Sequence, residues 1–265
     1  MLEPKRLKPL LVSDYKMKKT ILHIVSICCL SLVTGCGLSE DCFKGNGAAV
    51  IQTFPLENFT KIKVYEGIGL VVKEGPAYEV KIAAPHTILE NIEVKLEGDM
   101  LVVKDRSTCN IARDYGQTVV YVTTPFLEEI HSKTEQDILS DGVLTFPELR
   151  LYSVDISDGA GTGDFRLKLD TQLVYIESNN VSNFYVSGET NRLIVFFSWG
   201  NGIFNGEQLQ SNFIDVYHRG SNDIIFFPIQ SIVGNIYSTG DIVLKNRPIL
   251  PPNVVQHFSG RLIIH

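Results

Sequence analysis

The side chains that could do chemistry in this sequence are mainly aromatic, and they recur along its second half. Three aromatic residues stand twenty positions apart, each followed by a serine or a histidine, and the chain's single tryptophan lies beside the first. Aromatic rings that are exposed together can stack on sugar rings or pack on a protein. The sequence therefore predicts a ligand or partner surface made of Phe197, Trp199, Tyr217 and Tyr237.

This surface depends on which residues face inward. The residues one position earlier are uniformly apolar, as are their counterparts in the neighbouring repeats, so we expect a buried column made of Ile176, Phe196, Val216 and Ile236. Side chains alternate across a strand, so the aromatic column would then face solvent. Two alternatives stay open: the rings stack only on one another and fix the register, or they are covered by a loop or a second subunit.

Carboxylates are the second group that could do chemistry. Paired acids in a cleft would indicate a polysaccharide-active enzyme, with or without calcium. Acids beside glycine are also ordinary turn residues, which we take as the first interpretation. The acids concerned are Asp137, Asp141, Asp155, Asp158, Asp164, Asp215, Asp223 and Asp241.

Other catalytic and cofactor patterns are missing from the sequence. It contains no His-Glu-x-x-His motif, no cysteine and histidine cluster at zinc spacing and no Gly-x-Ser-x-Gly elbow. The glycines from Gly159 to Gly163 resemble a phosphate cradle, but the alternating segment from Phe165 to Leu169 predicts a strand after them instead of a helix. We therefore expect no catalytic residues, no metal and no cofactor.

The elements that position these side chains form a repeat. Turn residues follow one another at intervals of 25, 21, 20, 20, 20 and 21 residues, and glycine or asparagine occupies most positions two further on. Glycine and asparagine tolerate the left-handed conformation of tight turns. Apolar columns at a common period indicate stacked coils, so residues 126–265 are predicted to form a β-solenoid with coils of about 20 residues. The turn column is Ser132, Ser157, Ser178, Ser198, His218, Ser238 and Ser259.

Residues 54–125 alternate apolar and polar side chains in short runs, which predicts strands with one buried face. Glu97, Gly98 and Asp99 separate two runs as a hairpin loop would. The sequence thus predicts an all-β chain in which an antiparallel β region caps one end of the solenoid and continues into it.

The N-terminus resembles a bacterial export signal. Lys18 and Lys19 precede an apolar run, and Gly35 precedes Cys36 as in lipoproteins that are cleaved and lipidated at that cysteine. We interpret residues 1–35 as a removed signal whose functional start is Met17, and residues 36–53 as a lipidated tether. This predicts an outer-membrane lipoprotein that faces either the cell surface, which we favour, or the periplasm.

Charge narrows the partners. Residues 1–35 carry six of the 24 basic and two of the 30 acidic side chains, so the remainder carries 18 and 28, a net charge of −10. Nucleic acids and anionic lipids are bound chiefly by clustered lysine and arginine, so we expect no nucleic acid, and membrane attachment only through a lipid on Cys36. Cys42 and Cys109 are the remaining thiols, and an oxidising envelope would permit them to form a disulfide.

These features together resemble one family. Phe54-Pro55 with Phe59 and Ile62, the segment from Val119 to Ile130, and turns such as that from Ser157 to Gly161 are similar to the head GIN domain family, over about residues 54–265. The family is common in Bacteroidetes, is named for the head of auto-transporter adhesins and otherwise has no known function. The resemblance implies an adhesin-like or surface-assembly protein without catalytic activity, with glycans or proteins at the cell surface as partners. Glu40 and Asp41 resemble the surface-export signal of Bacteroides-type lipoproteins. The alternatives are a polysaccharide-binding or polysaccharide-active β-helix and a periplasmic structural module.

Overall fold

The computed structural model describes residues 47–107, 116–155, 159 and 161–265. The predicted signal, Cys36, Cys42 and Cys109 lie outside the described residues, so the cleavage, lipidation and disulfide predictions remain predictions. No helix in the described residues has the length and apolar character needed to cross a membrane.

The described chain is almost entirely β, as predicted, and forms a solenoid of about six turns. Its one short helix is α1, His86–Leu89. The strands are β1 Ala49–Phe54, β2 Lys61–Tyr65, β3 Ile68–Glu74, β4 Glu79–Pro85, β5 Ile92–Glu97, β6 Met100–Asp105, β7 Thr118–Thr124, β8 Glu129–Lys133, β9 Ile138–Leu144, β10 Glu148–Ser153, β11 Phe165–Ser178, β12 Phe184–Phe197, β13 Phe204–His218, β14 Ile224–Ile236, β15 Ile242–Leu244, β16 Asn253–Gln256 and β17 Leu262–Ile264.

The coils stack through two parallel ladders. One runs β6, β2, β8, β10 and then the second halves of β11 to β14, ending at β16. The other runs β7, β3, β9 and the first halves of β11 to β14, ending at β15 and β17. Each long strand from β11 to β14 therefore contributes to both ladders, and the outer side of the first ladder is called the ladder face below.

Antiparallel pairing is confined to the N-terminal end, where β4 pairs with β1 and β7, and β5 with β6. The hairpin between β5 and β6 pairs Glu97 with Met100 and turns at Gly98, whose φ is 65°, as predicted. The antiparallel cap is smaller than the predicted 54–125, because β2 and β3 already pair in parallel with later strands. Alternation predicts strands but does not indicate the direction of their partners.

The core is a set of continuous inward columns. In the first ladder, each coil contributes one fully buried aliphatic side chain to a column that includes Ile62, Ile130, Leu151, Ile176 and Val195. In the second ladder, Phe165 and Phe184 stack with ring centroids 4.6 Å apart. No coil buries enough apolar surface alone, so stability comes from the neighbouring coils.

The register departs from a fixed twenty-residue period. Ile176 pairs with Val195, Val195 with Val216, and Val216 with Gly234, which are steps of 19, 21 and 18 residues. Bulges interrupt the pairing of β12 with β13 and of β13 with β14. A shift of one residue reverses the side of every side chain in a strand, so the predicted inward column is correct at Ile176 and Val216 and wrong at Phe196, which faces outward.

Candidate functional site

A row of stacked rings crosses the ladder face of the last coils. Phe196 and Tyr217 lie with ring centroids 4.6 Å apart, Tyr217 and Tyr237 5.0 Å, and Tyr237 and His257 4.2 Å. Phe196 pairs directly with Tyr217, whereas Asn235 occupies the next position and the row continues two residues later at Tyr237. These four rings form the aromatic ladder.

The structure changes the membership of the predicted aromatic surface. Tyr217 and Tyr237 face outward as predicted, and Trp199 is 65% exposed in the turn after β12. Phe197 was predicted to face solvent, but it is 1% exposed and lies inside the coil, paired with Ser178 and His218. Phe196 takes its place because the step into β12 is one residue shorter than twenty.

Stacking limits what the aromatic ladder can bind. Neighbouring rings face one another, with Phe196 and Tyr217 at 22° and Tyr237 and His257 at 7°. A sugar stacks on the face of a ring, and these faces are already occupied by the next ring. The geometry therefore favours the alternative in which the rings fix the register of the coils, and it leaves ring edges and tyrosine hydroxyls toward solvent.

A second aromatic row lies earlier on the ladder face and was missed from the sequence. His131 stacks on Tyr152 at 4.6 Å, and Tyr152 contacts Tyr175 at 5.9 Å. Burial raises the pKa of both tyrosines, and the hydrogen bond from the Tyr175 hydroxyl to Glu177 raises the pKa of Tyr175 further. The hydroxyls therefore remain protonated donors across the physiological range. The irregular spacing of these early coils hid this row.

A shallow hollow of about 450 Å³ lies beside the aromatic ladder. It lies between two outward columns: one contains Phe196, Tyr217, Asn235 and Val255, and the other Ile194, Asp215, Val233 and Asn253. Asn235 and Val255 are shorter than the rings that precede them, and Gly234 between the columns has no side chain. The hollow exists because the aromatic ladder leaves this column after Tyr217.

The rim of the hollow is apolar and convex. Ile249 is 72% exposed and Leu250 54%, and their backbone amides donate to the carbonyl oxygens of Ile229 and Gln230 at 3.0 and 2.9 Å. Pro251 and Pro252 follow them and lead into β16, and proline restricts the backbone to one φ. Ile249 and Leu250 are called the apolar corner below.

The hollow carries one ion pair. Asp215 accepts hydrogen bonds from the Arg192 guanidinium at 2.9 and 2.8 Å. The chain has no charged residue at positions 231–236 or 249–256. The ladder face of the last coils is therefore close to neutral.

Most of the carboxylates that could have formed a catalytic pair bond the backbone of the next coil. The amides of Asp164, Asp241 and Arg261 donate to Asp137, Asp223 and Asp241 at 3.3, 2.8 and 2.7 Å. The Arg166 guanidinium neutralises Asp137 and Asp164. Asp141 forms an exposed ion pair with Lys73, and Asp158 lies outside the described residues. These carboxylates hold one coil to the next, in agreement with the interpretation as turn residues.

The glycines of the suspected phosphate cradle serve close packing between coils. A side chain at Gly163 would place its Cβ 2.0 Å from the Gln136 carbonyl oxygen, and at Gly161 2.5 Å from that of Ser132. Phe165 begins a strand directly after the loop. The described residues also contain no group of three or more histidine, cysteine, aspartate or glutamate side chains placed to hold a metal ion.

One titratable side chain is buried inside the last coils. His218 is fully buried, and neither ring nitrogen has a hydrogen-bond partner in the described part of the chain. Its ring lies so close to Gly220 and Gly240 that a Cβ at those positions would come within 3.2 and 2.5 Å. Burial lowers the pKa of His218 to about 4, although Asp223 and Asp241 nearby act in the opposite direction. His218 is therefore a neutral core residue at physiological pH.

Comparison with known proteins follows the same fold. Residues 58–248 match the family model described as "Putative auto-transporter adhesin, head GIN domain". A structure titled as a putative adhesin from Bacteroides fragilis NCTC 9343 is 18% identical, with a TM-score of 0.74 over 84% of this chain and all of that one. One with the same description, from Parabacteroides merdae ATCC 43184, is 14% identical, with a TM-score of 0.66 over 83% of this chain and 98% of that chain.

A third structure has a different description. It is titled as a putative lipid binding protein from Parabacteroides distasonis ATCC 8503, is 14% identical and has a TM-score of 0.59 over 83% of this chain and 98% of that one. No curated protein matches the sequence. At these identities the likeness shows the fold, and a fold alone does not determine a ligand.

Proposed function

The chain belongs to the head GIN domain family, and from this premise we propose that it is a lipid-anchored, non-catalytic outer-membrane protein whose solenoid provides an adhesive or assembly surface outside the cell. The membrane partner is reached through a lipid on Cys36. The partners of the solenoid are proteins or glycans at the cell surface, and nucleic acid is excluded by the acidic charge.

The observation that carries this proposal is the exposed ladder face of the last coils. Tyr237, Val233, Val255 and the apolar corner leave large apolar side chains in solvent beside one another. Monomeric soluble proteins rarely expose contiguous apolar surface of this kind unless it contacts a partner. A rigid stack of coils holds this surface in one arrangement, which suits recognition.

The absence of catalysis is proposed on the placement of the acids. A glycosidase or lyase needs carboxylates that converge on a cleft and are free to exchange protons. Here Asp137, Asp223 and Asp241 accept backbone hydrogen bonds at the corners, and Asp215 is paired with Arg192. The hollow beside the aromatic ladder therefore offers no unpaired carboxylate to a substrate.

The test is protease accessibility on intact, washed cells that express the full chain with an epitope tag after His265. A periplasmic protein is followed in the same samples, and a Cys36→Ala variant tests the anchor. We expect external protease to remove the tag while the periplasmic marker stays intact, and we expect the variant to lose both membrane retention and labelling by a clickable fatty acid.

The outcomes separate the alternatives. Protection of the tag until the outer membrane is opened would refute the surface location and favour a periplasmic structural module. Labelling that persists in Cys36→Ala would refute lipidation at that cysteine. Release of reducing sugar from surface polysaccharides by the purified protein would refute the non-catalytic assignment.

A further inference from the structure

We propose that the ladder face of the last coils binds a second copy of this chain, with the apolar corner of each copy seated in the hollow of the other. The inference deepens the assembly part of the proposed function and rests on it. It requires no statement about the ligand of the assembled protein.

The chemistry of the face favours a protein occupant over a sugar. The faces of the aromatic ladder rings are covered by one another, so a sugar finds no free platform there. The exposed groups around the hollow are aliphatic, mainly Val233, Val255 and the apolar corner. Aliphatic side chains gain most when they are buried against other apolar surface.

The shape of the face favours a copy of itself. The hollow is concave, and the apolar corner is a convex, proline-stiffened feature that precedes β16 on the same coil. A two-fold interface requires that one surface carry both complementary features, because residue i of one copy contacts residue j of the other and the reverse. This face carries both.

Charge restricts where two copies can meet. The whole chain has a net charge of −6, so two copies repel one another over most of their surfaces. The ladder face of the last coils lacks charged residues at positions 231–236 and 249–256, and Asp215 is neutralised by Arg192. Approach through this face therefore buries no unpaired charge, which an interface core tolerates poorly.

The experiment uses full-length copies with two different tags, co-expressed and solubilised from membranes in mild detergent. The basic-corner variant carries Ile249→Lys and Leu250→Lys, and the acidic-hollow variant carries Val233→Glu and Val255→Glu. A control carries Ile51→Glu and Val143→Glu, two exposed apolar positions outside this face with the same charge change. Far-UV circular dichroism of each purified variant confirms that it is folded.

We expect wild-type copies and control copies to co-purify, and we expect each face variant to lose at least tenfold of its co-purification with itself. The basic-corner and acidic-hollow variants should co-purify with each other, because each lysine corner then meets a glutamate hollow. Wild-type copies that do not co-purify, or face variants that pair with themselves as well as wild type, would overturn the proposal. So would loss of pairing in the mixed combination. Adhesion lost in the face variants while wild-type copies stay separate would assign the face to another partner instead.

Discussion

The buried histidine makes the stability of the last coils depend on pH. His218 is neutral in the folded chain because burial lowers its pKa from 6.5 to about 4. In the unfolded chain the ring takes up a proton near pH 6.5. Between these two values the unfolded state binds more protons than the folded state, so the free energy of unfolding falls as the pH falls.

The size of the effect follows from the two pKa values. A shift from 6.5 to about 4 corresponds to about 3 kcal/mol once both states are protonated. Between pH 7.5 and pH 5 the loss amounts to about 2 kcal/mol. This contribution is fully present above pH 7 and is lost as the pH falls through 6.5 toward 4.

The assay compares the wild type with His218→Leu by urea unfolding, followed by far-UV circular dichroism at pH 7.5, 6 and 5. Leucine fills the site beside Gly220 and Gly240 without a titratable group. Carboxylates titrate in both proteins, so the difference between their unfolding free energies isolates His218. We expect this difference to move by about 2 kcal/mol in favour of the variant from pH 7.5 to pH 5. A difference that stays constant over this range would refute the assignment of a neutral, unpartnered ring.

Three further predictions concern stability, each measured by urea unfolding at pH 7.5. Phe197→Ala should lower the unfolding free energy by about 3–5 kcal/mol because the ring is buried, and Phe196→Ala by about 1 kcal/mol; equal losses would contradict their opposite orientations. Asp241→Asn keeps an acceptor for the Arg261 amide, whereas Asp241→Ala should lose about 1–2 kcal/mol, and equal stability of the two would argue against the corner bond. Gly163→Ala should lose about 3 kcal/mol through its clash with a carbonyl oxygen, more than Gly98→Ala in open space, and the reverse order would contradict the close coil contact.

The solenoid could be predicted from the sequence because its turns carry a strong chemical signal. Glycine and asparagine recur two residues after the serine column, and only few residue types accept the backbone conformation or the close approach that such turns require. Gly200, with φ 96° and a Cβ position 2.3 Å from the Asn180 carbonyl oxygen, shows both reasons at once. The hairpin at Gly98 was predictable on the same grounds.

The orientation of the aromatic rings could not be predicted with the same certainty. Residues 193–197 are five apolar residues in succession, so alternation does not indicate which of Phe196 and Phe197 faces inward. The answer depends on the bulge between Tyr185 and Ser187 and on coil lengths of 19, 21 and 18 residues, which are properties of pairing between strands. The hollow and the apolar corner depend on the same offsets.

The order of the first coils has a consequence for how the chain acquires its structure. β2 and β3 lie between β6–β7 on one side and β8–β9 on the other, so Ile62 pairs with Ile130, 68 residues later. The later coils need partners only about 20 residues away, and contacts close in sequence form fastest because they require less loop closure. A chain that leaves a translocation channel N-terminus first would therefore hold its earliest strands unpaired until β8 and β9 emerge. We expect such a chain to depend on holding chaperones during export, and to complete its structure from the repeats back toward the N-terminal cap.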